Sequence, residues 1–209
     1  GRSAGYFCKE WKLRPDLDIV AGLVGSGRRV IDLGCGDGAL LENLINEWGC
    51  SGFGVERELD DFHACISRGV PVTQGDLEDE LPRLGADDFD VAVLSLTLQA
   101  VRRPDRVLTE MKRVAGRLVV SLPNFAHWKL RATLAVRGRM PIADALPYQW
   151  YDTPNIHLCT INDFEDLTRE LGLGIDRRIL IDAAGHRTGG LAKRAPSLLA
   201  ERAVYSLTN

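Results

Sequence analysis

Along this chain, short β-branched runs alternate with longer stretches of helical period. The first clear unit is a strand over 29–33 followed by a helix over 39–48, in which Leu40, Leu41, Leu44 and Ile45 share one face. Further strands are predicted at 51–55, 70–74, 89–96 and 117–122, with helices around 60–67 and 104–114 between them. Strand, helix, strand at this rhythm calls for a parallel sheet, because parallel neighbours need a crossover connection. The run Phe89-Asp90-Val91-Ala92-Val93-Leu94 is apolar on both pleat faces, which places it at the centre of the sheet with helices on each side. The fold class is α/β: a doubly wound, mostly parallel, Rossmann-like sheet.

After Leu122 the rhythm breaks. Residues 123–159 hold a short basic helix and then Pro141, Pro147 and Pro154, with Tyr148, Trp150 and Tyr151 among them. So long an irregular stretch reads as a lid or docking insertion, at about 125–159. Thr160 and Asp163 then form a capping box, and Phe164, Leu167 and Leu171 form the stripe of a helix ending near Gly172. Two final β-rich runs, 178–182 and 203–207, are joined by the Gly- and Arg-rich stretch 185–196 and read as a closing hairpin-like pair at one edge of the sheet. Residues 1–12 show no amphipathic period and read as a loose arm or an expression remnant, leaving 13–209 as a single domain.

Composition narrows the functions. The 209 residues suit one core, and 26 basic against 29 acidic side chains leave a net charge of −3, with no general pull toward phosphate backbones or anionic lipid. Neither nucleic acid nor a membrane is an expected partner. No run of about 18 apolar residues goes uncharged, and Lys9, Glu10, Lys12 and Arg14 interrupt the start where a secretory signal needs an apolar core, so a cytoplasmic place is expected. Cys8, Cys35, Cys50, Cys65 and Cys159 form an odd set without a CxxC pair, which suits reduced buried thiols and gives no metal site.

The most informative residues are Val30-Ile31-Asp32-Leu33-Gly34-Cys35-Gly36-Asp37-Gly38, a strand running into a glycine turn that opens a helix. Glycines there let the backbone bend sharply and let a ligand reach the main chain. A tight turn without a ligand is the plainest alternative. Gly34, Gly36 and Ala39 also satisfy the relaxed dinucleotide fingerprint GxGxxA, but Asp32 and Asp37 would then bring negative charge toward a pyrophosphate. A ligand with an amino acid end and a sulfonium, S-adenosylmethionine, finds in Asp32 a carboxylate of the right sign. Glu56, about 20 residues past the glycines, is placed to accept ribose hydroxyls. Asp76 is placed to accept from an adenine amino group while Leu77 covers the ring.

Asp32-Leu33-Gly34-Cys35-Gly36-Asp37-Gly38, then Glu56, then Gly75-Asp76 resemble the successive binding motifs of class I S-adenosylmethionine-dependent methyltransferases. A closer resemblance, to the MetW family of methionine biosynthesis proteins, rests on Leu13-Arg14-Pro15-Asp16-Leu17, Leu94-Ser95-Leu96-Thr97-Leu98-Gln99-Ala100, Val120-Ser121-Leu122-Pro123-Asn124-Phe125 and Tyr151-Asp152-Thr153-Pro154-Asn155-Ile156-His157. It runs from Leu13 to nearly the C-terminus. The resemblance implies a seven-stranded methyltransferase-like sheet with an antiparallel edge strand and a role in methionine synthesis. It also implies S-adenosylmethionine or S-adenosylhomocysteine as cofactor and homoserine O-acetyltransferase as partner. The cofactor-binding set expected from these motifs is Asp32, Gly34, Cys35, Gly36, Gly38, Glu56, Asp76, Leu77 and Ser95.

One departure from the usual small-molecule methyltransferase matters. Where many such enzymes carry an acid and a Glu-His pair after the fourth strand, this chain has Leu96, Gln99 and Ala100, none of which titrates. No catalytic residue is assigned. Acceptor-side candidates are His127, Tyr148, Tyr151, Asp152 and His157, while Lys129, Arg131, Arg137 and Arg139, and again Arg187, Lys193 and Arg194, are basic clusters available to a partner's acidic surface. His157 and Cys159 lack a second ligand pair at zinc spacing, and no Gly-x-Ser-x-Gly elbow marks an acyltransferase of the hydrolase type. A supporting subunit of the acetyltransferase and an active small-molecule methyltransferase remain the two readings.

Overall fold

β1 (Arg29–Leu33) pairs in parallel with β2 (Ser51–Glu56) on one side and β4 (Phe89–Ser95) on the other, so the strand order reverses between them. β3 (Val72–Gln74) lies outside β2, and β5 (Ala115–Pro123) outside β4, all parallel. The sheet is completed by β6 (Gly174–Ile181) and β7 (Arg202–Thr208), giving the order β3-β2-β1-β4-β5-β7-β6. The closing pair stands at one edge, as expected. Within it β7 runs antiparallel to both neighbours and lies second from the edge, so the outermost strand, β6, shares the direction of the parallel strands. This computed structural model describes residues 13–143 and 147–209, and the arm expected at 1–12, with Cys8, lies outside them.

Alternate residues of the inner strands feed two cores. Ile31, Leu33, Ala92, Leu94, Leu118 and Val120 pack under α5 (Pro104–Val114) and α7 (Ile161–Glu170). Val30, Val91, Val93 and Val119 pack instead under α1 (Pro15–Val24) and α2 (Ala39–Asn46). Both faces of β4 are thus covered, as its unbroken apolar run predicts. Helix α5 shows how the sequence drives this: Val107, Leu108, Met111 and Val114 recur on one face and are all buried, each such side chain contributing about 1.5–3 kcal/mol. Asp32 takes a position between Val30 and the glycine turn on the α1/α2 face, where period 2 puts a core residue.

Two expectations needed correction. The sequence reading had no helix at α1, and it began the sixth strand at residue 178 rather than at Gly174. The capping box at Thr160 is present in full: the Asp163 N–H donates to Thr160 Oγ1 at 3.2 Å and the Thr160 N–H to Asp163 Oδ2 at 2.9 Å. Short helices α3 (Leu59–Ser67) and α4 (Leu77–Glu80) lie in the β2–β3 and β3–β4 connections. α6 (Trp128–Arg137) follows β5, and α8 (Leu191–Arg194) and α9 (Pro196–Leu199) precede β7.

Candidate functional site

The reversal of strand order between β1 and β4 opens a crevice at the carboxyl ends of the strands, the usual ligand position in such sheets. Its floor is the turn after β1. Gly34, Gly36 and Gly38 have φ of +71°, +55° and +78°, values that side chains resist. A Cβ on Gly34 would stand 2.7 Å from the Thr97 methyl, whereas one on Gly36 would meet nothing within 4 Å. The turn is therefore packed behind Gly34 and open in front of Gly36.

Glu56 knits this turn to β2. Its Oε2 accepts from the Gly36 N–H at 2.8 Å, and its Oε1 from the N–H groups of Arg57 and Glu58 at 2.7 and 2.8 Å. Asp32 differs. It is 2 % exposed, and its Oδ1 is buried without a hydrogen-bond partner among the described residues. Burial first, and the neighbouring Glu56 carboxylate second, push the Asp32 carboxyl up to about 7. Asp37 is compensated: Arg68 bonds its carboxylate at 2.8 Å and that of Glu42 at 2.6 Å. Of the two aspartates invoked against a pyrophosphate, only Asp32 keeps its charge unopposed.

Two adjoining cavities occupy the crevice. One, of about 1110 Å³, is bordered by Asp32, Cys35, Gly36, Ser95 and Tyr148. The other, of about 540 Å³, is bordered by Glu56, Asp76, Leu77, Thr97 and Ile156. Gly34, Asp61 and Leu96 border both. At the second, Asp76 caps α4, its Oδ1 accepting from the Glu78 N–H at 2.9 Å, while its Oδ2 lies 3.7 Å from the Arg102 guanidinium. Leu96 has φ +53°, a costly conformation for a leucine. It is held by its N–H to the Ser121 carbonyl and hydroxyl, both at 3.0 Å, and by its carbonyl accepting from Gln99 Nε2 at 2.6 Å.

Eight of the nine residues expected to bind the cofactor thus border the two cavities. Gly38 does not: the Cys65 sulfur stands 2.9 Å from where its Cβ would be, so it serves the close packing of α2 against α3. Cys35 and Cys65, 3.7 Å apart, are buried free thiols, and burial pushes both pKa values up. Sequence reasoning missed Asp61, Leu96 and Thr97 as wall residues. Asp61 sits in an acidic first helical turn that reads as ordinary capping, and Thr97 is revealed only by its contact behind Gly34.

Of the acceptor-side candidates, Tyr148 alone borders the crevice. His127 is buried and faces Glu201 across 4.0 Å, with burial lowering its pKa. His157 Nε2 lies 3.3 Å from the Arg102 carbonyl, and Tyr151 and Asp152 are exposed. Gln99 has a mechanical part instead: its carbonyl accepts from the N–H groups of Ile156 and His157 at 2.8 and 3.0 Å, tying the irregular segment down over the crevice. Among the described residues, no group of three or more His, Cys, Asp and Glu is arranged to hold a metal ion.

Comparison with known proteins agrees with this architecture. The family described as "Methionine biosynthesis protein MetW" matches residues 14–207. A bifunctional methionine biosynthesis protein MetXA/MetW from Rhodopirellula baltica is 35% identical over 179 residues, covering 81% of this chain and 29% of that protein. Trans-aconitate 2-methyltransferase from Mycobacterium tuberculosis is 34% identical over 136 residues, covering 62% of this chain and 51% of that protein. The chain therefore spans under a third of the first relative and about half of the second. Among solved structures, an S-adenosylmethionine-dependent methyltransferase from Mesorhizobium loti superposes with a TM-score of 0.67 at 20% identity, over 93% of this chain and 96% of that one. The cyclase SpnF superposes with a TM-score of 0.62 at 18% identity, over 92% and 80%. Such likeness is of fold, and a cyclase among the matches shows that the fold leaves the reaction open. With the family match running almost end to end, the chain belongs to the MetW family of methionine biosynthesis proteins.

Proposed function

We propose that this protein binds S-adenosylmethionine, or its demethylated product, and associates with homoserine O-acetyltransferase to support that enzyme's activity. The observation that carries the cofactor half is the Asp32 oxygen, buried at the crevice floor without a hydrogen-bond partner among the described residues. An unpaired buried carboxylate costs several kcal/mol, and a ligand ammonium supplies the missing donor and the opposite charge. The residues present fit the cofactor. Asp32 would hold its amino group, Glu56 a ribose hydroxyl, and Asp76 the adenine amino group beside Leu77. Gly34, Cys35, Gly36 and Ser95 would form the floor, with Gly38 supporting it. When bound, the cofactor supplies an activated methyl group, and no histidine borders either cavity among the described residues to act as a base.

The association rests on the Rhodopirellula relative, whose name joins a MetXA part to a MetW part in one chain. Cofactor occupancy would bias the segment that Gln99 ties over the crevice and so pass the level of a methionine metabolite to the partner, through differential affinity for two states. The place proposed for this work is the cytoplasm; among the described residues no helix is long and apolar enough to cross a membrane.

The test is an acetyltransferase assay with this chain added, with and without saturating S-adenosylmethionine, beside calorimetry of cofactor binding. Activation that depends on the cofactor and is lost in Asp32→Ala supports the proposal. Equal activation with and without cofactor removes the regulatory half. The second reading, an active small-molecule methyltransferase, is favoured by one observation, the Tyr148 side chain at the larger cavity. Transfer of labelled methyl to a metabolite in cell extract, lost in Asp32→Ala, would establish it.

A further inference from the structure

Large apolar side chains left in water are unevenly placed in this molecule. Among the described residues fifteen are exposed, and ten of these fall between residues 128 and 158. Trp128, Leu134, Val136, Met140, Trp150 and Tyr151 are among them, Val136 at 84 % and Trp150 at 72 % exposure. Single exposed apolar residues are ordinary, whereas a concentration of this kind marks an interaction site.

Helix α6 makes the point independently. Its ten residues bury Leu130 alone. A helix shorter than about 12 residues is marginal in water and draws its stability from packing an apolar face, which among the described residues α6 does through Leu130 alone. The rest of α6 is left uncovered by the described residues.

Charge decides what kind of surface fits it. The stretch 128–158 carries four cations, Lys129, Arg131, Arg137 and Arg139, against two acids, in a chain of net charge −3. Lys129 pairs with Glu201 at 3.3 Å and the Arg131 guanidinium donates to the Ala126 carbonyl at 2.6 Å. Arg137 and Arg139 make no ion pair or side-chain hydrogen bond among the described residues. In a two-fold dimer through this face, one net basic patch would meet another. A different protein with an acidic rim fits better.

We infer that helix α6 together with Trp150 and Tyr151 is the surface on which the homoserine O-acetyltransferase docks; this rests on the association proposed above. The segment is suited to the task because other residues of it border the crevice, Tyr148 at one cavity and Pro154 and Ile156 at the other. Aromatic anchors at the centre of such a face carry most of the binding energy, so truncating one weakens association by at least about tenfold.

The test measures association of the purified chain with its cognate homoserine O-acetyltransferase by calorimetry, for wild type, Val136→Asp, Trp150→Ala and, as a control, Leu191→Asp, whose residue is exposed on α8, outside residues 128–158. S-adenosylmethionine affinity and thermal unfolding of each variant report intact folding. Loss of at least about tenfold in Val136→Asp and Trp150→Ala, with Leu191→Asp at wild-type affinity, supports the docking surface. Wild-type binding that all three variants retain overturns it and leaves the association standing. No binding by the wild type overturns the association, and the surface with it. A wild-type dimer that Val136→Asp dissolves assigns the face to a second copy and overturns the inference as well.

Discussion

Replacing Asp32 by asparagine keeps the shape of the crevice floor and removes a buried carboxyl that has no cation partner among the described residues, which makes the electrostatics measurable. Burial and Glu56 move this carboxyl from its ordinary 3.8 to about 7. At 1.36 kcal/mol per pKa unit, holding Asp32 ionised in the folded protein costs about 4 kcal/mol. The sign follows from the protons. Between about pH 4 and pH 7 the ligand-free folded state keeps a proton on Asp32 that the unfolded chain has lost, so unfolding releases it. Stability therefore falls as pH rises through that window and levels off above it. Asparagine has no such slope, although its amide leaves a buried donor unpaired at a cost of about 1–3 kcal/mol. Asp32→Asn is then more stable than wild type at pH 8 by roughly 1–3 kcal/mol, an advantage that shrinks by about 3 kcal/mol on going to pH 5. In a chain of 209 residues each kcal/mol moves the midpoint by about 2–4 °C, so paired thermal unfolding curves from pH 5 to pH 8 resolve the effect. An ammonium ligand pairs with the ionised form, so wild-type affinity for S-adenosylmethionine rises with pH through 7 and binding releases protons, seen in calorimetry with buffers of different ionisation enthalpy. The variant binds at least about tenfold more weakly and releases none. Midpoints that run parallel for the two proteins across the whole pH range would refute the assignment of Asp32 as a buried, strained charge.

Three further outcomes are expected. Gly36→Ala places a methyl group in open space at φ +55°, so unfolding should show a loss of only about 1–2 kcal/mol while ligand affinity collapses; unchanged affinity would mean that no ligand approaches this turn. Asn124→Ala removes amide bonds to the carbonyls of Ser197 and Ala200 at 2.8 and 2.7 Å, stranding one partly buried and one buried acceptor, and costs about 2–4 kcal/mol in urea unfolding. Tyr205→Phe loses the buried bond to Glu165 at 2.8 Å, but Arg178 still holds that carboxylate at 2.7 Å, so the loss should stay near 1 kcal/mol.

The inner sheet was legible because β1, β4 and β5 are rich in valine or isoleucine and buried along most of their length, and β1 runs straight into glycine. Helix α1 was not. Pro15 at its first turn with Asp16 and Asp18 is a start signal, but Ile19 to Val24 are apolar almost all round and Gly22 interrupts them, so no amphipathic stripe stands out. β6 began earlier than expected because Asp176 and Arg177 read as loop, although charges are what an exposed edge strand carries. In the crevice, the acids closing β1 and β2 and following β3 were legible from spacing alone. What spacing hid was direction. Nothing in residues 123–159 says that His127 turns into the core beside Glu201 while Tyr148 turns to the cavity, since this depends on how Asn124 and Gln99 fasten the segment.

That fastening has a consequence for how such proteins change. The Phe125 N–H donates to the Cys159 carbonyl at 3.0 Å, and Asn124 Oδ1 accepts from the N–H groups of Ala126 and Ile161, so entry and exit of the segment meet at a single knot. A loop closed at its neck can lengthen, shorten or be rewritten at little entropic penalty to the rest of the chain. The exposed face of α6 can thereby be rewritten in sequence while the residues that border the two cavities stay as they are.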